Sequence, residues 1–193
     1  MKRSVAILVL GCSIAGGRGK AEGGSDQSDT LRQHIAAVKA ALDGVPEVAK
    51  DAAPLRTAAV DAYLKKMHRQ IHKLWGAGAI EDWDALKSDS PLNNPALVTV
   101  LEIILNGDGS VDKIAVDRRS GYLPYDAAAV DAAFVAGPYP PLPAGIRSAN
   151  GKGYVRWAFH RDRRQCSTPF VSFFMLRSSE RPQAGPSAIT PGR

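Results

Sequence analysis

The side chains in this sequence that could carry chemistry are few and scattered. His68 and His72 stand four residues apart, which places two imidazoles on one side of a helix, as transition-metal sites use them. No His-Glu-x-x-His pattern encloses them and no third ligand follows at useful spacing, so they read as histidines at the margin of an apolar helix face. Asp108, in Asn106-Gly107-Asp108-Gly109, could open a calcium loop. Such a loop needs several spaced oxygens and a closing Glu. Neither follows, and the four residues read as a tight turn. Cys166 lies beside Arg163, Arg164 and Gln165, and basic neighbours lower a thiol pKa. A nucleophilic thiol also needs an oriented base, and His160 is the nearest candidate. A small exported thiol enzyme or hydrolase using Cys166 and His160 is therefore one reading, and an inert thiol is the other. Ser120-Gly121 lacks the flanking glycines of a nucleophile elbow, and no phosphate-cradling loop occurs. Together these residues point away from catalysis, with no catalytic residue, metal or cofactor expected, and toward a binding role.

The ends of the chain say where that role is played. Lys2 and Arg3 precede a short apolar run, Val5 to Leu10, then Gly11 and Cys12. A positive start, an apolar stretch and a small residue make an export signal, and the run is too short to span a bilayer as a helix. Val9-Leu10-Gly11-Cys12 resembles a lipobox, in which the cysteine becomes the lipid-bearing N-terminus. The other reading is a plain signal cut near Ala15 to Ala21. The lipobox reading puts the protein in the periplasm, anchored to the outer membrane through Cys12, with Ser13 after the cysteine favouring that membrane. Cys12 and Cys166 are the two cysteines, too few for a disulfide scaffold or a cysteine-rich metal site. The net charge of +6 is concentrated at one end, because residues 163–193 hold five Lys/Arg against one Asp/Glu. Residues 54–162 hold thirteen against twelve, too balanced to attract a phosphate backbone, and no nucleic-acid partner is expected.

Four segments follow from composition and periodicity: a signal at 1–12, a tether at 13–53, a domain at 54–176 and a disordered tail at 177–193. Within the tether, Leu31, Ile35, Val38 and Leu42 predict a short amphipathic helix ended by Gly44 and Pro46. The clearest helix runs from Asp51 to Trp75, with Asp51 as cap and Pro54 in the first turn. Tyr63, Leu64, Met67, Ile71, Leu74 and Trp75 form its core face, and Gly76 and Gly78 are expected to stop it. Leu97 to Leu105 is a strand apolar on both faces except at Thr99 and Glu102. Asn106 to Gly109 turns it into an antiparallel return, Val111 to Asp117. A small Ala-rich helix follows at Asp126–Val135, then a stiff link through Pro138, Pro140, Pro141 and Pro143. Tyr154 to His160 is a third strand, with Val155, Trp157 and Phe159 buried and Tyr154, Arg156 and His160 on a wet face. The expected fold class is α+β, a small antiparallel three-stranded sheet packed with helices.

That order of elements resembles the C-terminal domain of the TonB/TolA family. The likeness is carried by the helix with Tyr63, Ile71 and Trp75, the strand to Leu105, Gly107-Asp108-Gly109-Ser110-Val111, and Ser120-Gly121 with Leu123. It continues through the helix Asp126 to Ala136, Pro138-Tyr139-Pro140-Pro141, and the strand through Trp157 and Phe159. The resemblance implies a non-catalytic periplasmic docking domain, serving energy-coupled transport or envelope integrity. It implies that the third strand lies at a sheet edge and pairs with an extended segment of an envelope protein. The partner-binding residues would then be Tyr154, Arg156, Ala158 and His160. A competing expectation comes from Phe170 to Leu176, which is apolar, strand-prone and able to fold back over that edge.

Overall fold

A computed structural model describes residues 24–162 and 170–176. Helix α1 spans Gly24–Asp43, α2 spans Ala58–Leu74, and a π-helical turn at Trp75–Ile80 leads into the short α3, Glu81–Asp84. Strands β1 (Val98–Leu105) and β2 (Val111–Arg118) form the hairpin, and α4 covers Leu123–Val135. Strands β3 (Gly153–His160) and β4 (Val171–Phe174) complete the sheet, whose order is β2-β1-β3-β4 with every neighbouring pair antiparallel. The fold is α+β as expected, but the sheet has four strands, not three. The physical reason is Phe170 to Leu176, which folds back and pairs Tyr154↔Phe174 through Trp157↔Val171.

Helix α2 starts later than its sequence suggests. Thr57, extended at φ −144°, accepts a hydrogen bond at its hydroxyl from the Val60 N–H at 3.2 Å and so caps the helix. Asp51 and Pro54 stay outside, because Leu55 uses its N–H on the Phe173 carbonyl at 2.7 Å, a bond incompatible with a helical turn there. Gly76 and Gly78 do not end the helical path. They widen it into the π turn, which seats Trp75 against the rings of Trp83, Tyr125 and Phe159 at centroid distances of 5.3, 5.2 and 4.9 Å. Four nested aromatic rings outweigh the backbone preference of two glycines. The tether helix is longer than the apolar spacing indicated. It packs on α4 and β2 through Val38 and Ala41, while Leu31 and Ile35 remain exposed.

Helix α4 begins three residues before its expected start, with Pro124 in its first turn, where a missing N–H costs nothing. Asp126 is buried, and one of its oxygens accepts from Ser120 N–H at 2.8 Å and from the Thr99 hydroxyl at 2.5 Å. This bond explains why a fully buried threonine interrupts an apolar strand. The hairpin and the proline-rich link are joined as one unit. Gly109 has φ +89°, and a Cβ there would sit 2.1 Å from the Tyr139 carbonyl. Tyr139 and Leu142 donate their N–H groups to the carbonyls of Gly109 and Gly107, and the Tyr63 hydroxyl donates to the Pro140 carbonyl at 2.9 Å.

The sheet has two covered faces. On one, α2 and α4 bury Leu101, Ile103, Val155, Trp157 and Phe159 in the main core, with Trp157 fully buried as its strand phase predicts. The other face is closed by residues 45–55, an irregular strap running across the strands. Val48 on the strap packs with Ile104, Tyr154 and Phe174 in a second, smaller core, with Ala52 and Leu176 beside it. The wet face expected for β3 is therefore covered, and Tyr154 is buried.

Candidate functional site

The site the sequence singles out is the outer margin of β3, and its geometry follows from strand pairing. Backbone groups alternate sides along a strand, so those of Tyr154 and Arg156 face the same neighbour as those of Ala158 and His160. That neighbour is β4 over the first half of the strand, and the ladder stops at Trp157↔Val171. The expectation of a bare edge at β3 is corrected over Tyr154–Trp157, where β4 supplies the pairing. The sequence left both outcomes open, and the cover is the one realised. Beyond Trp157, the His160 ring lies 4.5 Å from that of Phe170, and its Nδ1 is 3.9 Å from an Asp162 carboxylate oxygen. Ala158 and His160 are half-buried.

Arg156 sits at the centre of the arrangement. It pairs across the sheet with Glu102 on β1 and lies 3.6 Å from that carboxylate through Nε, an ion pair beyond hydrogen-bond length. Its guanidinium donates to the Val48 carbonyl on the strap and stacks over the Phe174 ring of β4 at 5.2 Å. Glu102 is fully buried and accepts from the N–H groups of Glu47 and Val48. Burial raises its pKa above the ordinary carboxylate value, against the lowering influence of those N–H groups and Arg156. Tyr154, one pair along, receives a hydrogen bond at its hydroxyl from Asn150 at 2.8 Å. One arginine thus touches β1, β4 and the strap from its place on β3.

The remaining candidates have structural surroundings. His68 and His72 face each other at 5.3 Å between centroids, and His68 stacks on Trp157 at 6.4 Å. Burial, then the neighbouring His72 and Arg69, lower the His68 pKa, so the ring is neutral near pH 7. Among the described residues no group of three or more His, Cys, Asp or Glu could hold a metal ion. Asp108 accepts from the Ser110 N–H at 2.9 Å and hydroxyl at 2.7 Å, an Asx turn that lowers its pKa. Cys12 and Cys166 lie outside the described residues. Sequence reasoning missed Glu102, Val48 and Leu55 as parts of the site. Only Glu102 carried a signal, as a charge inside an otherwise apolar strand.

The helix, hairpin, second helix and proline-rich link, joined in this order, bear a known signature. Residues 60–152 match the family model described as TonB C terminal. This segment is similar to TonB C-terminal domains. The match begins in α2, crosses the hairpin and α4, and ends one residue before β3. The family is one of non-enzymatic, envelope-associated domains that bind envelope proteins. No curated protein and no solved structure matches the chain. Helix α1, the strap and the β3–β4 pair lie outside the matched segment. No helix among the described residues is long and apolar enough to cross a membrane.

Proposed function

We propose that this domain docks an extended segment of a periplasmic or outer-membrane protein on β3 by strand addition, and that β4 holds the place until the partner arrives. The observation that supports it is the mismatch between the two strands: β3 has eight residues and β4 has four, so the pairing covers only half of β3. A four-residue strand contributes few backbone bonds and is replaceable by a longer one that brings its own. Tyr154, Arg156, Ala158 and His160 present the backbone groups such a segment pairs with. We place the protein in the periplasm, held at the outer membrane by lipid on Cys12.

Photo-crosslinking amino acids at Ala158 and His160, used in cells of the source organism, test the docking mode. The expected product is a defined adduct with an envelope protein, and truncation after Cys166 increases its yield by freeing β3. Proline substitutions placed in turn at Arg156, Ala158 and His160 remove single N–H donors on that side of β3. Undiminished adduct yield in all three variants, each shown to be folded, overturns strand addition.

A further inference from the structure

Two segments outside the family match meet at β4, and their contacts are made in common. The Leu55 N–H of the strap bonds the Phe173 carbonyl on the far side of β4 from β3. Val48 shares the small core with Phe174 and Tyr154, so one apolar cluster joins the strap to β4 and β3. Arg156 bonds the strap at Val48 while its guanidinium lies over Phe174. At the start of the strap, Lys113 on β2 donates to the Val45 carbonyl at 2.9 Å and to Glu47 at 3.2 Å. At the end of β4, the Leu176 N–H bonds the Ser148 hydroxyl at 2.9 Å, and Leu176 packs against the same small core as Ala52 of the strap.

We infer that residues 45–55 are a latch that locks β4 onto β3, so that the strap and β4 open together as one unit. This rests on the docking reading above and assigns its regulation. Isolated four-residue strands are marginal, and β4 owes its position to being clasped from both sides. Lifting the strap removes the Leu55 bond, the Val48 packing and the carbonyl partner of Arg156 in one movement. Coupling between two sites is reciprocal. A strand that replaces β4 therefore loosens the strap, which is continuous with α1. Occupancy of β3 is in this way transmitted to the N-terminal helix, and displacement of α1 and the strap opens β3.

The test is hydrogen–deuterium exchange on the full chain. Val48→Ser weakens the small core, and Leu55→Pro independently deletes the N–H that reaches Phe173. Lys152→Ala, which cuts a surface ion pair with Asp112, serves as control. Both strap variants are expected to speed exchange at 171–174 by roughly tenfold, the scale of one lost hydrogen bond, with β1 and β2 unchanged. A labelled synthetic peptide of residues 169–176, added in excess to the full chain, is expected to replace β4 and speed exchange at 45–55. Unchanged exchange at 171–174 in both strap variants overturns the latch and leaves the docking reading intact. Acceleration that spreads through β1 and β2 also overturns it, because no separate unit then opens. Failure of the peptide to bind even the strap variants, with exchange at 171–174 accelerated as expected, supports the latch and counts against docking on β3.

Discussion

The two faces of the β1–β3 pair are closed by different physics. The inner face is aromatic and apolar, with Trp157, Phe159, Leu101 and Ile103 filling the space beneath α2 and α4. The outer face buries a carboxylate and a guanidinium under an irregular strap, and its apolar contribution comes from a handful of residues around Val48. The inner face stabilises the fold through area removed from water. The outer face costs desolvation and recovers it through an ion pair and backbone donors, an arrangement that gives little net stability yet penalises the loss of any one member. The lesson is that the first face makes the domain and the second makes a joint.

The comparison breaks most sharply at Trp157. Trp157→Ala removes the largest side chain of the inner face and should cost about 3–5 kcal/mol, as large aromatic truncations do. Urea denaturation followed by circular dichroism measures it, and a loss below about 1 kcal/mol contradicts the strand phase. On the outer face, Arg156→Ala leaves Glu102 buried without its cation and should cost about 3 kcal/mol. The double variant Glu102→Leu with Arg156→Met should recover most of that loss, since well-packed apolar replacements of a buried pair are near neutral. A double variant as weak as the single one shows that the pair itself, not the unpaired charge, supplies the stability.

The smallest effect is in pH dependence, where the faces carry opposite signs. The raised pKa of Glu102 means that the folded state holds this proton more tightly than the unfolded state. Its contribution is fully present below the unfolded value of 4.5 and is lost as pH rises through the folded pKa. The lowered pKa of His68 acts the other way, and its contribution is lost as pH falls from 6.5 through the folded value. In denaturation series from pH 4 to 8, Glu102→Gln should gain on the wild type as pH rises, and His68→Gln should gain as pH falls. Parallel curves for either variant contradict the assignment to that group.

The inner face was legible in the sequence because each element that builds it has its own period. Tyr63, Leu64, Met67 and Ile71 mark the helix, and Val155, Trp157 and Phe159 mark the strand. The TonB C-terminal resemblance rested on those elements together with the hairpin and the proline-rich link, and the family match bears it out over residues 60–152, up to the start of β3. The outer face was not legible, for a physical reason. Residues 45–55 have neither helical nor alternating pattern, and their positions are fixed by partners 54 to 118 residues distant in the chain. The fourth strand was visible as an apolar segment, yet nothing local to its four residues says whether it pairs with β3 or stays free. Tyr154 misled because an amphipathic ring suits a wet face as well as a covered one. Glu102 was read as an interruption, although a lone charge in a two-faced apolar strand already implied a partner. The helix stop at Gly76 and Gly78 failed because neighbouring rings, not backbone preference, decided the path.

The strand order β2-β1-β3-β4 also sets a timetable for folding. The hairpin turn at Asn106 to Gly109 closes locally, so β1 and β2 zip as soon as both exist. The other side of β1 waits for a distant mate, because Leu105 pairs with Gly153. Bringing such remote segments together is slow relative to hairpin formation, and the cost of closing the loop precedes any reward. On a chain emerging from the ribosome, an apolar strand with one open side would persist until β3 arrives. The seat of Gly109 against Tyr139 shortens that wait by pinning the intervening link to the hairpin, which carries the start of β3 back to the strand it must join.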